Sequence, residues 1–554
     1  MRQILTPQAS HRIFPGLKTN NQLGMFEHPD FPLDGEKFGI KKGEHIPAVK
    51  VLEYLESFVE TAGISAFLRL NTKVQVIEKD EERGWKVHCI SSAQDHAYQT
   101  HAPKLIIATG STSSPSKPQY PTSAFFTPPV IHAKDFPSYF SSIVKPSSHT
   151  LVIGSGKSAW DITYACATQP ASTVTMLIRP SSNGPIWMTS SHVTPFKLWL
   201  EKLIFTRFFG FFSPCPWAQT IGPEGWIRAF LHRTWLGRKI VSGFWKVLGD
   251  DAIAQNRMNE HPETKKLVPW RGAFEVGNAL SICNYPTDFF DLVRQGRVKV
   301  LIDDVKDFED GQEVRLMSGK KIHVDAVVCA TGWEVGRSIT FKPVGVESEM
   351  GLPTVRTPRH SKSYSTTNTS QANPSPTAVA LAKQAESYLH ESYPFLANRD
   401  TSRIHHPIPH LRTDTSSSTT QHPYRLYRFI TPPSLLATRS IAFAGALNCI
   451  GTFPLAYIQS LWISAYFDGT LDIPSTASED EMGTVLQGVY RDTQYCAIRG
   501  AMGYGRVAPD IVFDSLPYFD VLLKDLGVDG RRGRGMMGAY GPGDWRGIIG
   551  EGLL

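Results

Sequence analysis

Gly154, Gly156 and Ala159 form a Gly-x-Gly-x-x-Ala turn directly after an apolar run, Leu151-Val152-Ile153, and ahead of a helix-forming stretch. A dinucleotide-binding turn needs this order: a strand, a tight bend, then a helix N-terminus whose unpaired N–H groups face a pyrophosphate. Gly154 permits the bend, Gly156 lets the phosphates approach the backbone, and Ala159 lets helix and strand pack closely. Ser158 adds a hydroxyl donor in the first helical turn. A second β-rich run, Thr173–Ile178, ends at Arg179. That is about twenty residues past the turn, where NAD-binding chains place an acid on the ribose 2′-hydroxyl. A guanidinium there suits a 2′-phosphate, which points to NADPH, with Ser181 and Ser182 able to assist. The plainer alternative is a strand–helix turn that binds nothing, with a surface arginine nearby.

Four apolar runs end in glycine: 104–110, 150–156, 325–332 and 440–445. Such runs read as buried parallel strands of an α/β chain whose C-terminal ends hold cofactors. Two of them close in Ala-Thr-Gly, at 108–110 and 330–332. In flavoproteins with two dinucleotide domains, such turns carry the chain from one domain to the other, which makes Gly110 and Gly332 candidate cofactor-binding positions. A hydride taken from NADPH needs an acceptor, and FAD is the one this arrangement suggests.

From Phe14 to about Asp468 the chain resembles the flavin-containing monooxygenase family, the class B flavoprotein monooxygenases with their Baeyer–Villiger relatives. Phe126-x-Pro128-x-x-x-His132-x-x-x-Phe136 is similar to the family fingerprint, with Pro128 in place of its glycine. The segment lies after the first Ala-Thr-Gly and before the nucleotide turn, as in the family. The resemblance implies that His132 sits in the linker coupling the NADPH domain to the flavin. Leu17-Lys18-Thr19-Asn20-Asn21 resembles the family segment whose asparagine faces the flavin, so Asn20 would hydrogen-bond the oxygenated flavin or the nucleotide. The stretch 440–467 resembles the segment that closes the flavin site, with Gly445 allowing close approach. The implied reaction uses FAD, NADPH and O2 to place one oxygen atom on a small organic substrate. Whether the oxygen goes to a heteroatom or into a ketone stays open. A non-catalytic NADPH-binding remnant and a reductase without oxygenation are the alternatives.

The implied fold is a three-layer, Rossmann-like α/β flavoprotein with two dinucleotide-binding domains. The expected divisions are a first part of the FAD domain at 1–145, an NADPH domain at 146–330, a return to the FAD domain at 331–475, and a C-terminal extension at 476–554. The family's first strand and glycine turn are not legible before Phe14, so the FAD domain reads as truncated, with an exposed sheet edge. Residues 187–270 read as a helical insertion rich in aromatic and basic residues. It serves as a packed subdomain, a substrate cap favouring a bulky apolar substrate, or a membrane-surface contact. The polar stretches 358–376 and 412–422 read as loops.

The 554 residues suit two or three domains. The net charge of +6 is spread along the chain without a basic run, which disfavours nucleic acid. The seven scattered cysteines contain no Cys-x-x-Cys, so they read as reduced thiols in a cytoplasmic chain, without a metal site or redox disulfide. The weakly charged stretch 440–467 is long enough to span a membrane, but its Gly, Pro, Asn and Gln residues point to a strand, a turn and a helix.

Overall fold

The computed structural model describes residues 12–92, 96–218, 222–276, 281–334, 339–353, 375–397, 424–500, 505 and 508–551. Lys18–Gln22 (β1) pairs antiparallel with His45–Pro47 (β2), and helix Ala48–Thr61 (α1) follows. After an antiparallel meander come Leu105–Ile107 (β3) and Val130–His132 (β4). His149–Ile153 (β5), Lys157–Ala167 (α2) and Thr173–Ile178 (β6) then form a βαβ unit. Gly222–Arg233 (α3) and Trp235–Gln255 (α4) make a helical hairpin. Val298–Ile302 (β7), Ala326–Cys329 (β8) and Ile441–Phe443 (β9) precede the helices Thr452–Asp468 (α5), Glu479–Arg499 (α6) and Ser515–Asp525 (α7).

Five of these strands form a parallel sheet in the order β7-β6-β5-β8-β4. Because side chains alternate across a strand, each strand serves two cores. Val152, Met176 and Val328 face a core with Trp160 of α2. Leu151, Leu177 and Val327 face a core under the antiparallel strands 305–323. The result is three layers, helices, parallel sheet and meander, as the α/β reading expects. The other two glycine-ended runs lie elsewhere: β3 pairs in parallel with β9, and this sheet has two strands among the described residues. Its middle residue Ile106 is 50% exposed. The stretch 440–467 is a strand, a turn and a helix, and no described helix is long and apolar enough to cross a membrane.

The insertion differs from a separate helical subdomain. It is mostly helical, but Met188–Thr189 pairs with Ser281–Ile282, and His192–Val193 pairs with Leu198–Trp199. Most of its aromatic residues share one core with the segment after residue 475. Phe209 and Trp245 lie 5.6 and 5.0 Å from Phe513, ring centre to ring centre, and Phe205 lies 6.3 Å from Trp545. Short helices cannot bury large rings among themselves, so the C-terminal extension supplies the missing wall. The outer face of α3 and α4 stays open, with Trp226 76% and Trp235 67% exposed beside Lys239 and Lys246. The polar stretch 412–422 lies outside the described residues, as does 358–374, whereas Ser375 caps the helix Pro376–Ser392. All seven cysteines are free.

The α3–α4 hairpin depends on backbone contact. A Cβ on Gly237 would stand 2.1 Å from the carbonyl oxygen of Phe230. Gly237→Ala is expected to lower stability by about 2 kcal/mol through overpacking, measured by denaturant unfolding.

Candidate functional site

A cleft of about 630 Å³ opens at the C-terminal ends of β5, β6 and β8, where parallel α/β sheets bind ligands. The nucleotide turn forms one wall. Gly154 has φ +138° and would place a Cβ 2.3 Å from the carbonyl oxygen of Ala330, so only glycine lets the turn sit on the end of β8. A Cβ on Gly156, in contrast, would meet nothing within 4 Å; the space in front of this residue is open. Gly156 also caps α2 without a side-chain hydrogen bond, leaving the first helical N–H groups to the cleft. Ser158 is exposed there, and Ala159 is fully buried behind the turn.

Arg179 stands at the end of β6 on the cleft wall, and its buried Nε has no hydrogen-bond partner in the structure. Ser182 supports the loop: its hydroxyl donates to the Arg179 carbonyl at 2.6 Å and accepts from the Gly184 N–H at 3.2 Å. Ser181 is exposed and does not line the cleft.

The two Ala-Thr-Gly connectors meet. After 108–110 the chain forms Ser114–Pro115, and after 330–332 it forms Trp333–Glu334; these short strands pair antiparallel. Gly332, at φ +88°, offers its carbonyl to Ser116 N–H at 3.0 Å and to His132 Nε2 at 3.1 Å. His132 Nδ1 accepts from the N–H of Lys134 at 3.1 Å. One ring nitrogen thus donates and the other accepts, which fixes a neutral tautomer. Burial holds the pKa of His132 below the ordinary histidine value. The residue is 1% exposed, so its visible work is to hold the connector.

Asn20 on β1 lines the cleft across from the turn. What carries β1 there has no local signature in the sequence. The Asn284 amide donates to the carbonyls of Lys18 and Thr19 at 3.1 and 3.0 Å, and its Oδ1 accepts from Lys157 Nζ at 3.0 Å. Lys157 also pairs with Asp161. Lys157 and Asn284 lie over a hundred residues apart, so no local pattern links them. Gly110 and Gly445 do not line the cleft. Ala108, Thr109 and Gly110 are all exposed, while the N–H of Gly445 donates to Gln459 Oε1 at 2.8 Å.

Residues 8–204 match the family model described as pyridine nucleotide-disulphide oxidoreductase. Among curated proteins, the chain is 29% identical to an FAD-dependent monooxygenase of Pyrenophora dematioidea, covering 95% of this chain and 91% of the relative. It is also 29% identical to the FAD-dependent monooxygenase resA of Aspergillus sclerotiorum, covering 98% and 91%. Among solved structures, cyclohexanone monooxygenase from Rhodococcus sp. Phi1 bound to NADP+ aligns with a TM-score of 0.55 at 15% identity, over 94% of this chain and 90% of that one. An ε-caprolactone-bound cyclohexanone monooxygenase gives 0.55 at 14% identity, over 94% and 91%. The fold is therefore the two-domain, Rossmann-like α/β flavoprotein fold, and the chain is similar to FAD-dependent monooxygenases along nearly its whole length.

Gly154→Ala is expected to destabilise the chain by about 3 kcal/mol, combining left-side backbone strain with the clash at Ala330. Gly156→Ala is expected to leave stability within about 1 kcal/mol. Thermal or urea unfolding of the two variants separates them.

Proposed function

We propose that the chain is an FAD- and NADPH-dependent monooxygenase that places one atom of O2 on a small, bulky, apolar organic substrate. The observation that carries this reading is one cleft with a glycine turn, an unpartnered arginine nitrogen and two crossing connectors on its walls. Similarity to FAD-dependent monooxygenases over 95–98% of the chain supports it.

The residues fit the nucleotide. The open space before Gly156 and the uncapped start of α2 suit a pyrophosphate, with Ser158 as an added donor. The guanidinium of Arg179 on the cleft wall suits the 2′-phosphate of NADPH. A flavin fits the opposite side. Helix α5 starts at Gly451 without a side-chain cap, and Thr452 in its first turn lines the cleft, so the partial positive charge of the helix start would suit the polar edge of a flavin ring. Bound together, the two cofactors supply the hydride and the oxygen-activating centre. The chain would position and shield them: Asn20 lines the cleft on the flavin side, His132 fixes the connector, and Leu200, Ile204, Ile450 and Val512 supply apolar wall. Oxygen transfer to nitrogen or sulfur and insertion beside a carbonyl both fit these walls, and a role in secondary metabolism fits a bulky apolar substrate.

The exposure of Ala108, Thr109 and Gly110 favours a second reading, a chain that binds NADPH without a flavin. Purified protein given FAD decides between them. The first reading expects yellow protein, FAD-dependent NADPH oxidation and incorporation of labelled dioxygen. Colourless protein that binds NADPH supports the second, and NADPH oxidation without label in the product indicates a reductase. Arg179→Ala is expected to weaken NADPH roughly 10- to 100-fold, the worth of a charged hydrogen bond, with little change for NADH, as followed by fluorescence titration.

The open face of α3 and α4 also supports contact with an anionic membrane surface, since Trp226, Trp235 and Leu236 stand out among Arg233, Lys239 and Lys246. Co-sedimentation with phosphatidylserine vesicles is expected to fall at least about fivefold in a Trp226→Ser, Trp235→Ser variant, whose lost apolar burial weakens the contact. Equal sedimentation of the two proteins removes this surface from the proposal.

A further inference from the structure

A carboxyl group stands at the apolar end of the cleft. Glu201 lies on the short helix Leu200–Ile204 and lines the cleft, yet is only 7% exposed. Leu200, Ile204, Ile282, Ile450 and Val512 share that part of the wall. Nothing in the sequence marks this residue, and the reaction as proposed above does not use it.

The hydrogen-bond inventory around Glu201 is one-sided. Asn21 Nδ2 donates to Oε1 at 2.5 Å, and the backbone N–H of Gln22 also donates to the carboxyl group. Among the described residues no cation forms an ion pair with it, and Lys202 is the cation whose charge acts on it. Lys202 is next on the same helix, but its Nζ sits 4.7 Å over the Trp199 ring. Lys157, Arg179 and Glu275 also line the cleft, none of them in an ion pair with Glu201, and His45 pairs with Gln22 in the neighbouring β2. A lone carboxylate in such a site is costly, so the group keeps its proton. Burial pushes its pKa up to about 8. In the neutral acid, the carbonyl oxygen can accept both N–H groups and the hydroxyl is left as a donor. The cleft is where that donor can meet an acceptor.

We propose that Glu201 is a substrate-recognising acid, donating a hydrogen bond to an uncharged oxygen on an otherwise apolar ligand and selecting against a cationic one. This rests on the cleft being the substrate site of the proposed monooxygenase. Donation requires the proton, so recognition is present below about pH 8 and is lost as the pH rises through that value, where the ionised group repels a carbonyl oxygen and attracts an ammonium instead.

The test is calorimetric titration of the full chain, with FAD and NADP+ present, using a matched pair of probes, phenylcyclohexanone and phenylcyclohexylamine. At about pH 6.5 the ketone is expected to bind at least about tenfold more tightly than the amine, and to weaken about tenfold by about pH 9.5. Glu201→Gln keeps an N–H donor but cannot ionise, so it should retain ketone binding at both pH values. Glu201→Leu should lose about tenfold at the lower pH and show no pH dependence, with NADP+ affinity unchanged as the check on folding. If Glu201→Leu does not fold, the flat profile of Glu201→Gln against the sloping wild type still decides. Tighter amine binding, equal pH profiles in wild type and Glu201→Gln, or binding of neither probe overturns the assignment. NADPH oxidation in the presence of FAD is read separately, so failure of the monooxygenase reading is distinguishable from failure of this one.

Discussion

The carbonyl oxygen of Gly332 is the point on which the cleft depends. It receives Ser116 N–H from one connector and His132 Nε2 from the end of β4, while Gly332 itself terminates the other connector. Thr331 adds a hydroxyl donated to the Ser116 carbonyl at 2.5 Å. The two crossings of the chain between its halves are thereby one paired unit. Two residues upstream, the Ala330 carbonyl faces Gly154 so closely that a side chain there has no room. The nucleotide turn, the connectors and the histidine are thus fixed relative to one another by backbone contacts, which vary less than side-chain contacts do.

The cleft divides by polarity. On one wall the charged and hydrogen-bonding groups are donors: the first N–H groups of α2 and the guanidinium of Arg179. Donors without acceptors at a helix N-terminus favour an anion. The wall around Leu200, Ile204 and Val512 is aliphatic and includes the acid Glu201, whose pKa burial raises. Between them, Lys157 is held by Asp161 and Asn284 and so serves to brace β1. A cation and an acid in one cleft therefore have different tasks because one is paired and the other is not.

The aromatic insertion gains its order from the far end of the chain. Arg499 on α6 stacks 3.6 Å from the Phe274 ring centre and 5.0 Å from that of Trp245, and Trp245 donates its Nε1–H to the Phe212 carbonyl at 2.9 Å. Large rings bury well only when several elements surround them. This shared core places Leu200, Glu201 and Ile204 on the cleft, so the insertion shapes the apolar end even though most of its rings point away from it.

The sequence alone determined the elements with local signatures. The turn at 154–159, the strand ending at Arg179 and the glycine-ended strands follow from residue type and short-range spacing, because a bend, a helix start and a buried strand each restrict neighbouring residues. Tertiary structure decided what depends on distant partners. It separated β3 and β9 from the five-stranded sheet, left Gly110 and Gly445 off the cleft wall, and joined the insertion to the C-terminal segment. It also brought Lys157 and Glu201 to the cleft from separate stretches of chain, and set Asn284 behind Lys157 as the link to β1. Hydrogen bonds and burial between such stretches leave no periodicity behind, so a solvated glutamate and one buried on a cleft wall look the same until the chain has folded.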